Sequence, residues 1–140
     1  MEISVSQSII TTEAAMSVVE AAVAKAKALN ILINVEVVDS SGIPAAFLRM
    51  PGAFLHSIDI AKDKAYTAAS FGFATDEWQA IFEKEEMLKL GMPSRDRLVV
   101  FGGGVPIKVG NTLIGGVGVS GGSAEQDVEC AKAGISAIVQ

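Results

Sequence analysis

The chain has 140 residues, 50% of them apolar and 19% charged, with a formal net charge of −5. This composition excludes a disordered chain, scattered basic residues argue against a nucleic-acid partner, and no apolar run reaches the ~18–20 residues of a membrane span. The single cysteine allows no internal disulfide, and the start of the sequence shows no secretion signal. We therefore expect one cytoplasmic domain, residues 1–140, without a membrane partner.

Residues 11–30 show the three- and four-residue apolar spacing of an amphipathic helix. The predicted N-cap is Thr12, and the predicted core face consists of Met16, Val19, Val23 and Ala26. Two runs rich in β-branched residues follow, 32–39 and 43–50, on either side of a Ser-Ser-Gly turn. This pattern predicts a hairpin.

A second helix is predicted from Ser57 to Phe71, ended by Gly72, and a third helical region from Thr75 to Gly91. The second helix has a narrow face of small residues, which lets it lie close to a sheet or another helix. Its charged residues are typical of a solvent-exposed helix face; they are Asp59, Lys62, Asp63 and Lys64.

Nine of the fourteen glycines lie between residues 102 and 122. Strands are predicted at 98–101, 105–109 and 113–120, and Ser123 with Gln126 forms a capping box that opens a final helix. The predicted order is helix, two strands, two helices, three strands and a helix, with short turns between the strands. This order is typical of an α+β domain. We expect an antiparallel sheet of about five strands with helices packed on it.

The final helix has a predicted core face and an uncharged opposite face of small residues. The core face contains Val128, Ala131, Ile135 and Ile138, and the opposite face contains Cys130, Ala133, Gly134 and Ala137. Because a solvated face normally carries charges, we expect a second subunit to cover it, with the first helix of the same chain as the alternative. Nothing in the sequence lowers the thiol pKa of Cys130.

The segment from Gly116 to Gly121 matches a dinucleotide-binding fingerprint. The fingerprint also needs a following strand and an acid ~20 residues further on, and the chain ends before either. We therefore interpret these glycines as sites of close strand–helix packing. The amides at Gly121, Gly122 and Ser123 are a weaker candidate, for anion binding at a helix N-terminus.

Two features carry a candidate binding site. Gly102, Gly103 and Gly104 form either an easily deformed turn or bare backbone that lets a flat ligand approach. His56, the single histidine, is either a loop residue before a helix or an axial ligand of a bound cofactor, since its neighbours Phe54 and Leu55 are apolar.

Three segments in order carry a resemblance. They are Arg49-Met50-Pro51-Gly52 with the run from Ile58 to Ala69, then the run from Gly102 to Ile107, then the run from Ile114 to Asp127. Across nearly the whole chain they resemble the GlcG/HbpS family, which also occurs as the C-terminal domain of PduO-type cobalamin adenosyltransferases. One departure is Pro51, which stands where relatives commonly carry an acidic residue.

The resemblance implies a profilin-like fold, homo-oligomers and, in several members, haem binding. Members are encoded beside glycolate use and cobalamin-dependent diol or glycerol dehydratases. The hypothesis is therefore an accessory protein that binds haem or a related tetrapyrrole. The candidate cofactor site, a pocket between the 49–57 loop and the glycine turn, comprises His56, Arg49, Lys64, Gly102, Gly103 and Gly104. His56 as the metal ligand is inferred only from its being the single histidine.

Two alternatives remain. The first is a small enzyme acting on a hydroxy acid or aldehyde through Arg49, Lys64 or Asp127; the sequence offers no strong nucleophile–base pair for it. The second is a purely oligomeric accessory protein of a dehydratase or adenosyltransferase system. We rank the binding role first.

Overall fold

The computed structural model describes residues 1–139, and its sheet starts from the predicted hairpin. Strands β1 (Asn34–Asp39) and β2 (Pro44–Arg49) pair antiparallel. At the turn, the Asp39 carboxylate accepts hydrogen bonds from the amides of Ser41 and Ile43, at 2.8 and 3.1 Å. Gly42 supplies the positive φ of 81° that the turn requires.

Strands β3 (Gly104–Val109) and β4 (Thr112–Ser120) complete a four-stranded antiparallel sheet in the order β2-β1-β4-β3. The α+β expectation is confirmed, whereas the count of about five strands is wrong, because residues 98–101 form no strand. The hydroxyl of Thr67 accepts a hydrogen bond from the amide of Val99 at 3.1 Å and donates one to the carbonyl of Arg97 at 2.8 Å. The Thr67 side chain thus forms hydrogen bonds with backbone groups at Arg97 and Val99 that would otherwise be available to pair with a neighbouring strand.

The helices α1 (Thr12–Ala28) and α5 (Ala124–Ser136) pack on one face of the sheet and α2 (His56–Phe71) packs on the other. The capping box at Ser123 and the left-handed C-cap at Gly72 are confirmed. The cap of α1 is Thr11, not Thr12, and Met16 is exposed rather than in the core. None of the helices within residues 1–139 combines the length and apolar content needed to cross a bilayer.

The third helical region is broken into short pieces. It contains α3 (Trp78–Lys84) and α4 (Glu86–Gly91), separated at Glu85, whose φ of −126° and ψ of 87° leave the helical region. Buried Trp78 holds α3 through edge contacts with Phe71 and Phe73, at ring distances of 5.0 and 5.3 Å.

The small-residue face of α5 is covered from within the chain. A Cβ atom on Gly134 would lie 2.7 Å from the carbonyl oxygen of Val18, so α1 lies against this glycine. Cys130 is buried on the same side, and its burial raises the pKa of its thiol to about 11. At Cys130 and Gly134 the alternative, α1 of the same chain, is therefore correct; Ala133 is half-buried and Ala137 is exposed, and a second subunit over that part of the face stays a prediction.

Glycines in β4 let α2 lie directly on the sheet. A Cβ on Gly116 would lie 2.7 Å from the carbonyl oxygen of Ala65, and a Cβ on Gly118 would overlap the carbonyl oxygen of Ala61. The fingerprint-like glycines are thus packing residues, as the sequence indicated.

We predict that Gly118→Ala lowers the free energy of unfolding by about 1–3 kcal/mol, because the added methyl group pushes α2 away from β4. Urea denaturation measures this change. Gly91→Ala is the matched control, since nothing lies within 4 Å of a Cβ placed there. Equal unfolding midpoints for the two variants would contradict the packing role.

Candidate functional site

The centre of the candidate site is a buried ion pair between α2 and α5. The side chain of Lys64 is 1% exposed, and its Nζ donates to Asp127 Oδ2 at 3.1 Å and to the carbonyl oxygen of Val119 at 2.7 Å. Lys64 was expected on a solvent-exposed face together with Asp59, Lys62 and Asp63, and that expectation is wrong for Lys64. Its ammonium instead crosses the end of β4 to reach α5.

The carboxylate of Asp127 is held from its other side by the loop before α5. The amide of Gly122 donates to Asp127 Oδ1 at 2.9 Å, and the amide of Ser123 donates to Gln126 Oε1 at 3.0 Å. These amides were the candidate site for an external anion. The expectation is wrong, because carboxylate and amide groups of α5 itself already occupy them.

The glycine turn leaves room for the lysine side chain. Gly103 has a φ of 129°, and a Cβ there would lie 2.5 Å from Lys64 Nζ and 2.6 Å from the carbonyl oxygen of Val119. At Gly104 a Cβ would lie 2.5 Å from the carbonyl oxygen of Lys64. The bare backbone is therefore required by the Lys64 side chain at Gly103, and by the α2 backbone and the Thr75 side chain at Gly104.

Burial controls the electrostatics of the pair. It lowers the pKa of Lys64 and raises the pKa of Asp127, while the attraction between the two charges opposes both shifts. Both changes favour the neutral amine and the neutral carboxylic acid. The 3.1 Å hydrogen bond between Lys64 Nζ and Asp127 Oδ2 is the direct path for a proton between the two groups.

A pocket shares one wall residue, Phe101, with the surroundings of the pair; Lys64 and Asp127 themselves do not line it. It has a volume of about 250 Å³, and its walls include Val100, Phe101, Gly102 and Val128, with the acids Asp76 and Glu125. The ring of Phe101 is 50% exposed, and its centroid lies 5.2 Å from Lys64 Nζ. This aromatic side chain is therefore a wall of the pocket and a cover of the ammonium at once.

His56 and Arg49 lie elsewhere on the molecule. His56 is exposed and is the first residue of α2, eight residues before Lys64, which corresponds to ~12 Å along a helix axis. Arg49 donates to the carbonyl oxygen of Ala53 at 2.7 Å, and Asn34 donates to that of Phe54 at 3.1 Å. The structure thus brings Lys64 to the glycine turn, and Arg49 to the loop before His56.

Sequence reasoning missed Phe101, and it also missed Glu36, which is 1% exposed on β1 with a pKa raised by burial. It also misplaced Lys64, although a signal was present. Lys64 lies three residues after Ala61 and four before Ala68, a spacing that puts it on the buried face of α2. No comparable periodicity marks Phe101, which lies outside the regular elements.

Comparison with known proteins adds a family to this geometry. Residues 10–136 match the model of a family described as haem degrading protein HbpS-like. A 15.0 kDa protein from the dhaT–dhaS intergenic region of Citrobacter freundii is 40% identical over 119 residues, which cover 84% of each chain.

Two further similarities involve PduO. The corrinoid adenosyltransferase PduO of Salmonella typhimurium is 39% identical over 120 residues, which cover 84% of this chain and 35% of that protein. This chain thus spans about a third of PduO. The solved structure of a PduOC–haem complex matches with a TM-score of 0.85 and 34% identity, over 93% of this chain and 95% of that one.

We predict that Lys64→Met lowers the free energy of unfolding by about 3–5 kcal/mol, because the Asp127 carboxylate then stays buried without its counter-ion. Adding Asp127→Asn to Lys64→Met restores part of the loss, since no unpaired charge remains. Urea denaturation of the single and double variants measures both effects. Lys132→Met, at an exposed position of α5, is the control with little change; strictly additive losses would show that the pair is not coupled.

Proposed function

The chain belongs to the HbpS-like family of haem-degrading proteins, and from this membership we propose that it binds haem or a related tetrapyrrole. The similarity to PduOC, whose structure was solved as a complex with haem, supports the proposal. A haem site needs apolar surface for the macrocycle, an axial ligand for the iron and cations for the propionates.

The residues around His56 fit these needs, and the exposure of this histidine is the observation that carries the proposal. His56 stands beside Phe54 and Leu55, whose side chains are 67% and 74% exposed. Such large exposed apolar side chains, next to one another, are typical of a binding surface. Because a porphyrin fills four positions around its iron, a single imidazole is a sufficient protein ligand.

Arg49 supplies the cation. Its guanidinium is anchored to the carbonyl of Ala53, in the loop that leads to His56. A guanidinium binds carboxylates such as haem propionates through paired hydrogen bonds. We limit the haem contact to this end of α2 and leave Lys64, Gly102, Gly103 and Gly104 outside it, because Lys64 is buried against Gly103 and Gly104, and Gly102 faces Val128 of α5.

The proposed haem surface is open on one side. Phe47 on the edge strand β2 is 36% exposed and lies on the α2 side of the sheet, where Lys62 contacts its ring, and Phe54 and Leu55 are exposed just before α2. We propose that a second copy of the chain covers it, which makes the protein a homo-oligomer. Bound haem would supply a redox-active iron, and His56 would hold that iron.

The cellular role follows from the relatives. One of them is a corrinoid adenosyltransferase, and another comes from the dhaT–dhaS intergenic region. We therefore propose an accessory protein of a glycolate or cobalamin-dependent diol or glycerol utilisation system, which includes a dehydratase or an adenosyltransferase as partner. Co-purification with those enzymes tests this role.

We predict that titration with haemin produces a Soret band that His56→Ala abolishes or shifts to the position of free haemin. Loss of the only imidazole removes the axial ligand, whereas Arg49→Ala keeps the band and weakens binding several-fold by removing the propionate contact. Absorbance titration measures both effects.

Asp59→Ala, an exposed position one turn further along α2, is the matched control and keeps normal binding. An unchanged Soret band in His56→Ala would overturn His56 as the ligand. Sedimentation of the haem-loaded protein tests whether a second copy of the chain covers the haem surface. A single species near 14.5 kDa would contradict the proposed homo-oligomer.

A further inference from the structure

The Lys64–Asp127 pair is not used by the haem proposal, although it lies beside a pocket. We propose that Lys64 is a covalent binding site for small uncharged aldehydes and ketones, which it captures as an imine. The proposal rests on the position of the amine, its acidic partner, its aromatic cover and the character of the adjoining pocket.

The amine is held in place. Its hydrogen bonds to the carbonyl oxygen of Val119 and to Asp127 Oδ2 fix Nζ within the fold. The remaining side is covered by the ring of Phe101, at 5.2 Å from its centroid, and half of that ring's surface is exposed. Rotation of one partly exposed side chain therefore opens a path from the pocket to the amine.

The pocket selects the class of ligand. Its volume of about 250 Å³ admits a compound of a few carbon atoms, and Val100, Phe101 and Val128 give it apolar walls. The carboxylates of Asp76 and Glu125 also border it and repel an anion such as a 2-oxo acid. A small uncharged carbonyl compound fits the volume of the pocket and is not repelled by these carboxylates.

The pair can carry the protons of imine formation. Asp127 takes a proton from the Lys64 ammonium, and the freed lone pair on Nζ attacks the carbonyl carbon, while the carbonyl oxygen takes the proton back from Asp127. The resulting carbinolamine carries two N–H protons; it passes one of them to Asp127, which returns it to the departing hydroxyl group as water leaves, so that the imine forms in its protonated state and Asp127 is again a carboxylate. The C–O bond breaks, a C=N bond forms, and the net products are an imine and water.

A purely structural ion pair accounts less well for this arrangement. Replacing a buried ion pair by apolar side chains of similar volume is often neutral or stabilising, so stability alone gives little reason to retain it. A half-exposed aromatic ring over the ammonium also gives less protection from water than a closed apolar cover.

The chain contains an internal control. Lys62 lies two residues before Lys64 on α2, and its Nζ lies 5.3 Å from the ring of Phe47, much as Lys64 faces Phe101. Lys62, however, is partly exposed, and no hydrogen-bonded ion pair of the kind formed by Lys64 and Asp127 holds it among the described residues; the buried acid Glu36 acts on it only by longer-range attraction. The two lysines differ in the features on which the proposal depends.

The test is reductive trapping on the full chain, with butanal as probe and cyanoborohydride as reductant, followed by peptide mass mapping. Near neutral pH we expect Lys64 to gain a butyl group several-fold faster than Lys62, and its labelling to reach half-maximum at a lower pH. Phe101→Ala accelerates labelling at Lys64 several-fold, whereas Phe47→Ala leaves the Lys64 rate unchanged. Pyruvate in place of butanal labels Lys64 more slowly.

Labelling of Lys64 only after denaturation, or no faster than Lys62 in the folded protein, would overturn the proposal. An unchanged rate in Phe101→Ala, with the fold verified by circular dichroism, would overturn Phe101 as the gate. The outcome is independent of haem, because His56→Ala leaves Lys64 labelling intact while removing the proposed iron ligand.

Discussion

A buried ammonium group must be surrounded by acceptors, and meeting that need at Lys64 ties together elements that are distant in the sequence. The group binds a carbonyl at the end of β4 and a carboxylate at the start of α5, from a helix on the opposite face of the sheet. The same contact determines that residue 103 has no side chain. If α2 were shifted by one turn along its axis, the Lys64 ammonium or the Asp127 carboxylate would be buried without a partner. The pair therefore fixes the position of α2 along the sheet.

The two sites that we propose lie at different positions along α2. Its first residue stands in solvent among exposed apolar side chains, which suits a large flat ligand. Its middle reaches a closed polar pair beside a small pocket, which suits a compound of a few atoms. The ~12 Å along the helix between His56 and Lys64 separates the two sites that we propose for these ligands. The single shared pocket expected from the sequence is replaced, in our proposals, by two sites on one helix.

What the sequence predicted depended on how local the signal was. The hairpin, the Gly72 cap and the Ser123 capping box were predictable because each is determined by a few neighbouring residues. The strand at 98–101 was not excluded, because its backbone is bound by Thr67, thirty-two residues before Val99. Lys64 looked solvated because its charge outweighed its position on the apolar face. Only the distant Asp127 and Gly103 explain its burial.

The glycines of β4 have a consequence for how this chain can change over generations. In most helix–sheet contacts a larger side chain on one element can be offset by a smaller one on the other. Here Gly116 and Gly118 face Ala61, Ala65 and Ala69, so the sheet side is already at the lower limit of size. A larger side chain on α2 therefore cannot be offset by a smaller residue on β4. Sequences that keep α2 in this place therefore have little freedom at Gly116 and Gly118, in contrast to Gly91, where an added side chain would meet nothing within 4 Å.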